Sequence, residues 1–161
     1  MHNLNPISPL GNTKPLSKEF GLYTLSEITS YSLASFTLRK GTEGDARKII
    51  EQFIQGSLPD IMTSNFGKIS SFWIGPSQWL IEAPMETHED LAGELTEISN
   101  GKASVTEQTD AWCRFDLNGQ ELASPLALLC NVDFPAFKGG EVTRCQIDHI
   151  GCFLICRDLT N

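Results

Sequence analysis

The residues best suited to chemistry are the five cysteines and three histidines. A structural zinc site wants tight Cys-x-x-Cys pairs, because a short loop lets two thiolates reach one tetrahedral ion. No such pair occurs: Cys145, Cys152 and Cys156 follow each other at spacings of seven and four. On a strand, Cys152 and Cys156 share a face but lie about 13 Å apart, too far for one metal. His2, His88 and His149 form no His-x-x-x-His pattern. Cys113 with His149 is the one conceivable nucleophile–base pair, and it needs a coincidence of strand register. The plainer reading is a core cysteine and an edge-strand histidine. An odd cysteine count points to buried free thiols and away from disulfides.

Other chemistries leave weaker marks. Neither Gly-x-Ser-x-Gly nor Gly-x-Gly-x-x-Gly is present. Lys40-Gly41-Thr42-Glu43-Gly44 stands between a strand and a helix, where anions bind, but Glu43 and Asp45 put negative charge at that helix start. Asp110, Asp116, Asp133 and Asp148 fall near strand ends with no spacing that makes two converge, so a solvated surface is expected. No catalytic, cofactor-binding or metal-ligating residue is therefore assigned. Trp73 and Trp79 flank a turn, and Trp112 stands on a strand face with Arg114 and Asp116, a mixture that suits a protein interface.

The elements that position these residues follow from 161 residues with 40% apolar and 20% charged side chains, an ordinary globular composition. A net charge of -8 disfavours nucleic acid and anionic lipid, and Arg39-Lys40 and Arg47-Lys48 are only pairs. Met1-His2-Asn3-Leu4-Asn5-Pro6 has no basic region followed by an apolar one, and no apolar run is long enough for a bilayer. The expectation is a soluble, cytoplasmic protein without nucleic-acid or membrane partners.

Pro6, Pro9 and Pro15 mark residues 1–20 as an arm. A strand is expected over Tyr31–Arg39. A helix follows over Glu43–Gln55, capped by Thr42, ended by Gly56, with Ala46, Ile49, Ile50, Phe53 and Ile54 on one face. Lys68–Ile74 and Trp79–Glu82 read as a hairpin about Gly75-Pro76-Ser77-Gln78, with Gly75 able to supply a positive φ. A second helix is expected over Glu89–Ser99, opened by Thr87 or His88 and ended by Asn100-Gly101. A short strand over Ala103–Thr106 comes next. In Ala111–Leu117 the apolar set Ala111, Cys113, Phe115 and Leu117 is expected to face the core, with Trp112, Arg114 and Asp116 outward. Asn118-Gly119 reads as a turn, Glu121–Leu129 as a helix, and Val142–Asp148 with Ile150–Arg157 as closing strands. The result is an α+β layered domain whose halves each resemble a sheet covered by helices.

Trp73-Ile74-Gly75-Pro76-Ser77-Gln78-Trp79-Leu80-Ile81 resembles the hairpin of the gamma subunit of heterotetrameric sarcosine oxidase. The resemblance continues in Ala103–Ala111, Leu117-Asn118-Gly119, Cys130–Phe137 with Gly139-Gly140 behind it, and Glu141-Val142-Thr143-Arg144. It covers roughly residues 21–157 and rests on the order and spacing of these segments. It implies two ferredoxin-like lobes resembling the folate-binding, aminomethyltransferase-type domain, at about 21–101 and 102–161 within a gamma-like domain 21–161. It implies a non-catalytic accessory subunit docked on a large alpha subunit, with beta and delta subunits in the same complex. FAD, FMN, NAD and tetrahydrofolate would then sit in the partner subunits. That assembly oxidatively demethylates sarcosine to glycine, passing the one-carbon unit to tetrahydrofolate. Members of the family continue past the position of Arg157-Asp158 with a further strand and helix, so the resemblance implies a C-terminal end that is either truncated or lost in this lineage. The competing expectations are a stand-alone folate-dependent one-carbon protein, which wants a carboxylate in a deep pocket between lobes, and an iron–sulfur repair factor, which wants an exposed cysteine in a tight motif.

Overall fold

The structure is a computed structural model and describes residues 7–158. It is an α+β fold built on a five-stranded antiparallel sheet. Its strands are β3 (Tyr31–Leu38), β4 (Ser64–Asn65), β5 (Ser70–Gly75), β6 (Gln78–Pro84) and β7 (Ala103–Glu107), in spatial order β4-β5-β6-β3-β7. Helices α1 (Glu43–Ile54) and α2 (Leu91–Ser99) cover one face. Strand alternation sends Ala34 and Phe36 of β3 and Trp79, Ile81 and Ala83 of β6 under the helices, where they meet Ala46, Ile50, Leu91 and Leu95. Fully burying a side chain such as Phe36 or Ile50 is worth about 1.5–3 kcal/mol, so this layer holds most of the molecule's apolar stabilisation.

The two helices and the hairpin stand where the apolar periodicity puts them, but their ends are made by other residues. Gln55, at φ 55°, closes α1 in the left-handed region, and the Gly56 amide then donates back to the Glu51 carbonyl. Thr42 precedes α1 without capping it: its hydroxyl donates to the Lys102 carbonyl at 2.7 Å and ties the helix start to β7. Asp90, not Thr87 or His88, caps α2 by accepting from the Gly93 amide. In the β5–β6 turn the positive φ belongs to Ser77 (57°) and not to Gly75. Trp73 and Trp79 are opposed across that hairpin, as expected, with Trp79 buried.

The second layer departs further from expectation. Residues 17–20, expected as arm, form β1 (Ser17–Phe20), paired with β2 (Tyr23–Ile28). The third strand of this sheet is β8 (Arg114–Gly119), which starts three residues later than Ala111 because Thr109–Ala111 is a single 3-10 turn. Asn118 and Gly119 belong to that strand and pair with Thr24 and Tyr23. A short α3 (Ala123–Leu129) leads to the hairpin β9 (Val142–Ile147) and β10 (Ile150–Ile155), a separate two-stranded sheet turned by Asp148 and His149 at positive φ. The second half is thus not one helix-covered sheet. Nor does a boundary at 101/102 follow the pairing, since β7 completes the first sheet and β8 joins the N-terminal strands.

Candidate functional site

The densest polar cluster forms where the three sheets meet. Glu82 lies opposite Leu33 and Ser70 on the sheet face away from the helices and is only 3% exposed. Arg114 of β8 donates to Glu82 Oε2 at 2.6 Å, and Arg157, just after β10, donates to Oε1 at 2.6 Å. Arg114 also forks onto Asp116 with contacts of 3.0 and 2.9 Å. Both guanidinium groups stack on aromatics, Arg114 over Tyr31 and Arg157 over Phe66 and Phe72. Burial alone would lower the Arg114 pKa, but the Asp116 hydrogen bonds and the Glu82 charge raise it above its ordinary value. Two carboxylates thus balance two cations, and both Glu82 oxygens are occupied. Arginine gives up no proton in proteins, and the carboxylates of Glu82 and Asp116 are engaged by Arg114 and Arg157, so the cluster acts as a joint between sheets.

This joint inverts the expected orientation of β8. Arg114 and Asp116 face inward, while Phe115 is 40% exposed and Cys113 is exposed. Local alternation gives no sign that Arg114 and Asp116 turn inward, because the contacts that hold them there, Arg114 to Glu82 and Arg157 to Glu82, span 32 and 75 residues.

A second buried carboxylate organises the N-terminal segment. Glu27 of β2 accepts from the Leu10 and Leu16 amides, each at 2.9 Å, while its own amide donates to the Leu16 carbonyl. Burial pushes its pKa up, but the Leu16 and Leu10 amides outweigh that and hold it below the ordinary glutamate value. Residues 8–16 are clasped onto the sheet as a strap.

The residues weighed for chemistry are placed as follows. His2 lies outside the described residues. Cys113 is exposed before β8, His149 sits at the tip of the β9–β10 turn, and no hydrogen bond joins them. Cys145 and Cys152 are directly opposed across β9 and β10, a pairing that the two-residue turn at 148–149 dictates and that spacing arguments missed. All five thiols are free. Burial, then the neighbouring Cys130 and Cys152, push the Cys145 thiol up to about 11, and burial, then Glu141, raise Cys156, so both stay protonated at neutral pH. Among the described residues no group of three or more His, Cys, Asp or Glu is placed to hold a metal. Asp110, Asp133 and Asp148 are exposed, and only Asp116 enters a cluster.

The Gly41 loop does not fit a pyrophosphate. The Gly41 amide, where an anion would sit, already donates to the Glu43 carboxylate at 2.8 Å. Two surface clefts are also candidates. The larger, about 370 Å³, holds Asp133, Glu141 and Cys145, but Glu141 is engaged by the Lys138 and Gly139 amides and Cys145 is protonated. The smaller, about 230 Å³, is walled by Trp112 and Phe153 with Gln78, Gln108 and Arg144, and contains no carboxylate, imidazole or thiol. Trp112 donates to the Gln108 side chain and meets Phe153 edge-on. No helix among the described residues is long and apolar enough to cross a membrane.

No protein-family model matches the chain, and no curated protein matches it. Among solved structures, the chain is similar to one chain of the heterotetrameric sarcosine oxidase from Corynebacterium sp. U-96 in complex with pyrrole 2-carboxylate. The TM-score is 0.73 and the identity 16%, over 84% of this chain and 71% of that one. The likeness is one of fold.

Proposed function

We propose that this chain is a non-catalytic, gamma-type subunit of a heterotetrameric sarcosine oxidase. The observation that carries the reading is the fold likeness to a chain of such an assembly over 84% of the residues. It is supported from within the chain: the buried carboxylates Glu82 and Glu27 are spent on holding layers together, and the loop best placed for a nucleotide binds its own Glu43. The order β3-α1-β5-β6-α2-β7 with spatial order β5-β6-β3-β7 supports a ferredoxin-like reading of the first lobe. On this reading the described residues belong to one gamma-like domain, docked chiefly on the alpha subunit in the cytoplasm, with beta and delta completing the complex. FAD, FMN, NAD and tetrahydrofolate belong to those partners. A flavin supplies the hydride acceptance that side chains lack, so demethylation of sarcosine to glycine, with tetrahydrofolate taking the one-carbon unit, is the work of the assembly.

The test is co-expression of the flavin-bearing subunits with and without this chain, followed by size-exclusion chromatography and a sarcosine assay. The chain should co-elute with the large subunit, and its omission should lower the yield of assembled oxidase while leaving turnover per bound flavin unchanged. Sarcosine oxidation by the isolated chain, or failure to co-elute, refutes the reading.

A further inference from the structure

One part of the apolar surface left open by the fold is continuous around one sheet and the strap clasped to it, where Leu10, Leu16, Phe20 and Phe115 are exposed. Pairing of β1, β2 and β8 puts Phe20, Tyr23, Leu25, Phe115 and Leu117 on the face away from Arg114 and Asp116. Lys18 shares that face, its ammonium 4.9 Å from the Phe20 ring. Glu27 also lies there and clasps the strap 8–16 against the sheet, leaving the Leu10 and Leu16 side chains 52% and 45% exposed.

The exposed charges of the strap and outer face are opposite in sign to the molecule's net charge, Glu19, Arg114 and Asp116 lying on the other face of the sheet. The chain carries a net charge of -8, yet residues 7–18 contain Lys14 and Lys18 and no aspartate or glutamate. The one carboxylate on this sheet face is Glu27, buried and fully engaged. We propose that the strap and the outer face of β1-β2-β8 are the surface by which this chain docks on its protein partner, and that the partner's matching patch is apolar with an acidic rim. The inference rests on the accessory-subunit reading and locates its contact. Two lysines on an acidic molecule are too few to hold nucleic acid. A second copy is a poor occupant, because a two-fold contact apposes this face to itself, and the face offers Lys14 and Lys18 no free carboxylate, Glu27 being engaged by the Leu10 and Leu16 amides. Glu27 is a positioning residue: by pre-ordering the strap it removes an entropy loss otherwise incurred on binding.

The experiment measures binding of the full chain to the large flavin-bearing subunit of the same organism's oxidase. It uses wild type, Phe115→Asp, the double variant Lys14→Glu/Lys18→Glu, and Lys48→Glu on the exposed side of α1 as control. Circular dichroism and thermal melting check that each is folded. Phe115→Asp should weaken binding ~30-fold or more, as a buried interface anchor does. The lysine variant should weaken it ~10-fold and flatten its salt dependence, as loss of complementary charge does, whereas Lys48→Glu should match wild type. Both lysines are exposed, so the double variant stands as the test if Phe115→Asp does not fold. Wild-type affinity in the lysine variant, or in folded Phe115→Asp, overturns this surface while the subunit reading stands. No binding by wild type removes the reading itself and this inference with it.

Discussion

Residues 31–107 bury Phe36, Ile50, Phe72, Ile81 and Leu95 completely, whereas the described residues outside that span bury only Cys130 and Val142 among their apolar side chains. Helix α2 sinks Leu91 and Leu95 into the core; α3 buries nothing and leaves Leu128 88% exposed. The first layer has the alternation and helical stripes that close a core by themselves. The second is held by polar devices instead: the Glu82 joint, the Glu27 clasp and the stacking of Arg157 on Phe66 and Phe72. Such devices fix geometry but add little net stability, since desolvation offsets most of the attraction. One layer is therefore a foundation, and the other a shaped surface resting on it.

The sharpest way to break that contrast is in the foundation. Phe36→Ala should cost about 3–5 kcal/mol, the usual range for emptying a packed aromatic site, and both layers should unfold together in urea. A variant in which the second layer outlives the first shows that the layers are independent. Next comes the joint. Glu82→Gln leaves two arginines facing a neutral amide, and should cost about 3 kcal/mol, in line with breaking a buried ion pair. Its loss should fall on β8 to β10: their amides should exchange faster while Ala46 and Ile50 of α1 keep their protection. Uniform loss across both layers would remove the distinction.

Acid acts on the clasp. The folded Glu27 pKa lies below its ordinary 4.5, so the clasp's contribution is complete above the unfolded value and disappears as pH falls through the lower folded one. In an NMR titration the Leu10 and Leu16 amide signals should move together with an inflection below 4.5, and those of α1 should not follow. An inflection at or above the ordinary value is incompatible with the clasp. The smallest effect concerns the hairpin of the first layer. Ser77→Gly should raise stability by roughly 1 kcal/mol by relieving a left-handed non-glycine residue. Gly75→Val meets no such strain, its nearest neighbour being the end of the Gln78 side chain at 3.4 Å. If Gly75→Val costs more than Ser77→Gly gains, the turn is governed by space and not by φ.

The same contrast explains what was legible in the sequence. The stripe Ala46, Ile50, Ile54 and the alternation of β3 and β6 are local signals, and they placed α1, α2 and the hairpin within a few residues. Residues 17–28 are not legible as strands because Pro9 and Pro15 mark an arm and Glu27 stands where the alternation of Tyr23 and Leu25 calls for an apolar residue. The buried face of β8 was misread because burial there follows charge and not hydropathy. Glu82 could be recognised only through partners far along the chain. Turn residues misled for a smaller reason: Gln55 and Ser77 adopt left-handed backbone without being glycine, asparagine or aspartate, and their residue types carry no sign of it.

The placement of the tryptophans has an optical consequence. Trp79 is buried under α1, its indole N–H donates to the Pro59 carbonyl at 2.9 Å, and the Arg47 guanidinium lies over its ring. Trp112 sits at the surface of the other layer, against Phe153. The first indole is shielded from collisional quenchers and the second is open to them. With Trp112→Phe the emission of the chain should shift to shorter wavelength and resist acrylamide, and the spectrum removed by that substitution is the signal of the second layer. The molecule thus carries built-in chromophores in both layers, Trp73 and Trp79 in the first and Trp112 in the second, so stopped-flow fluorescence of wild type and Trp112→Phe can time the assembly of the layers separately without an attached dye.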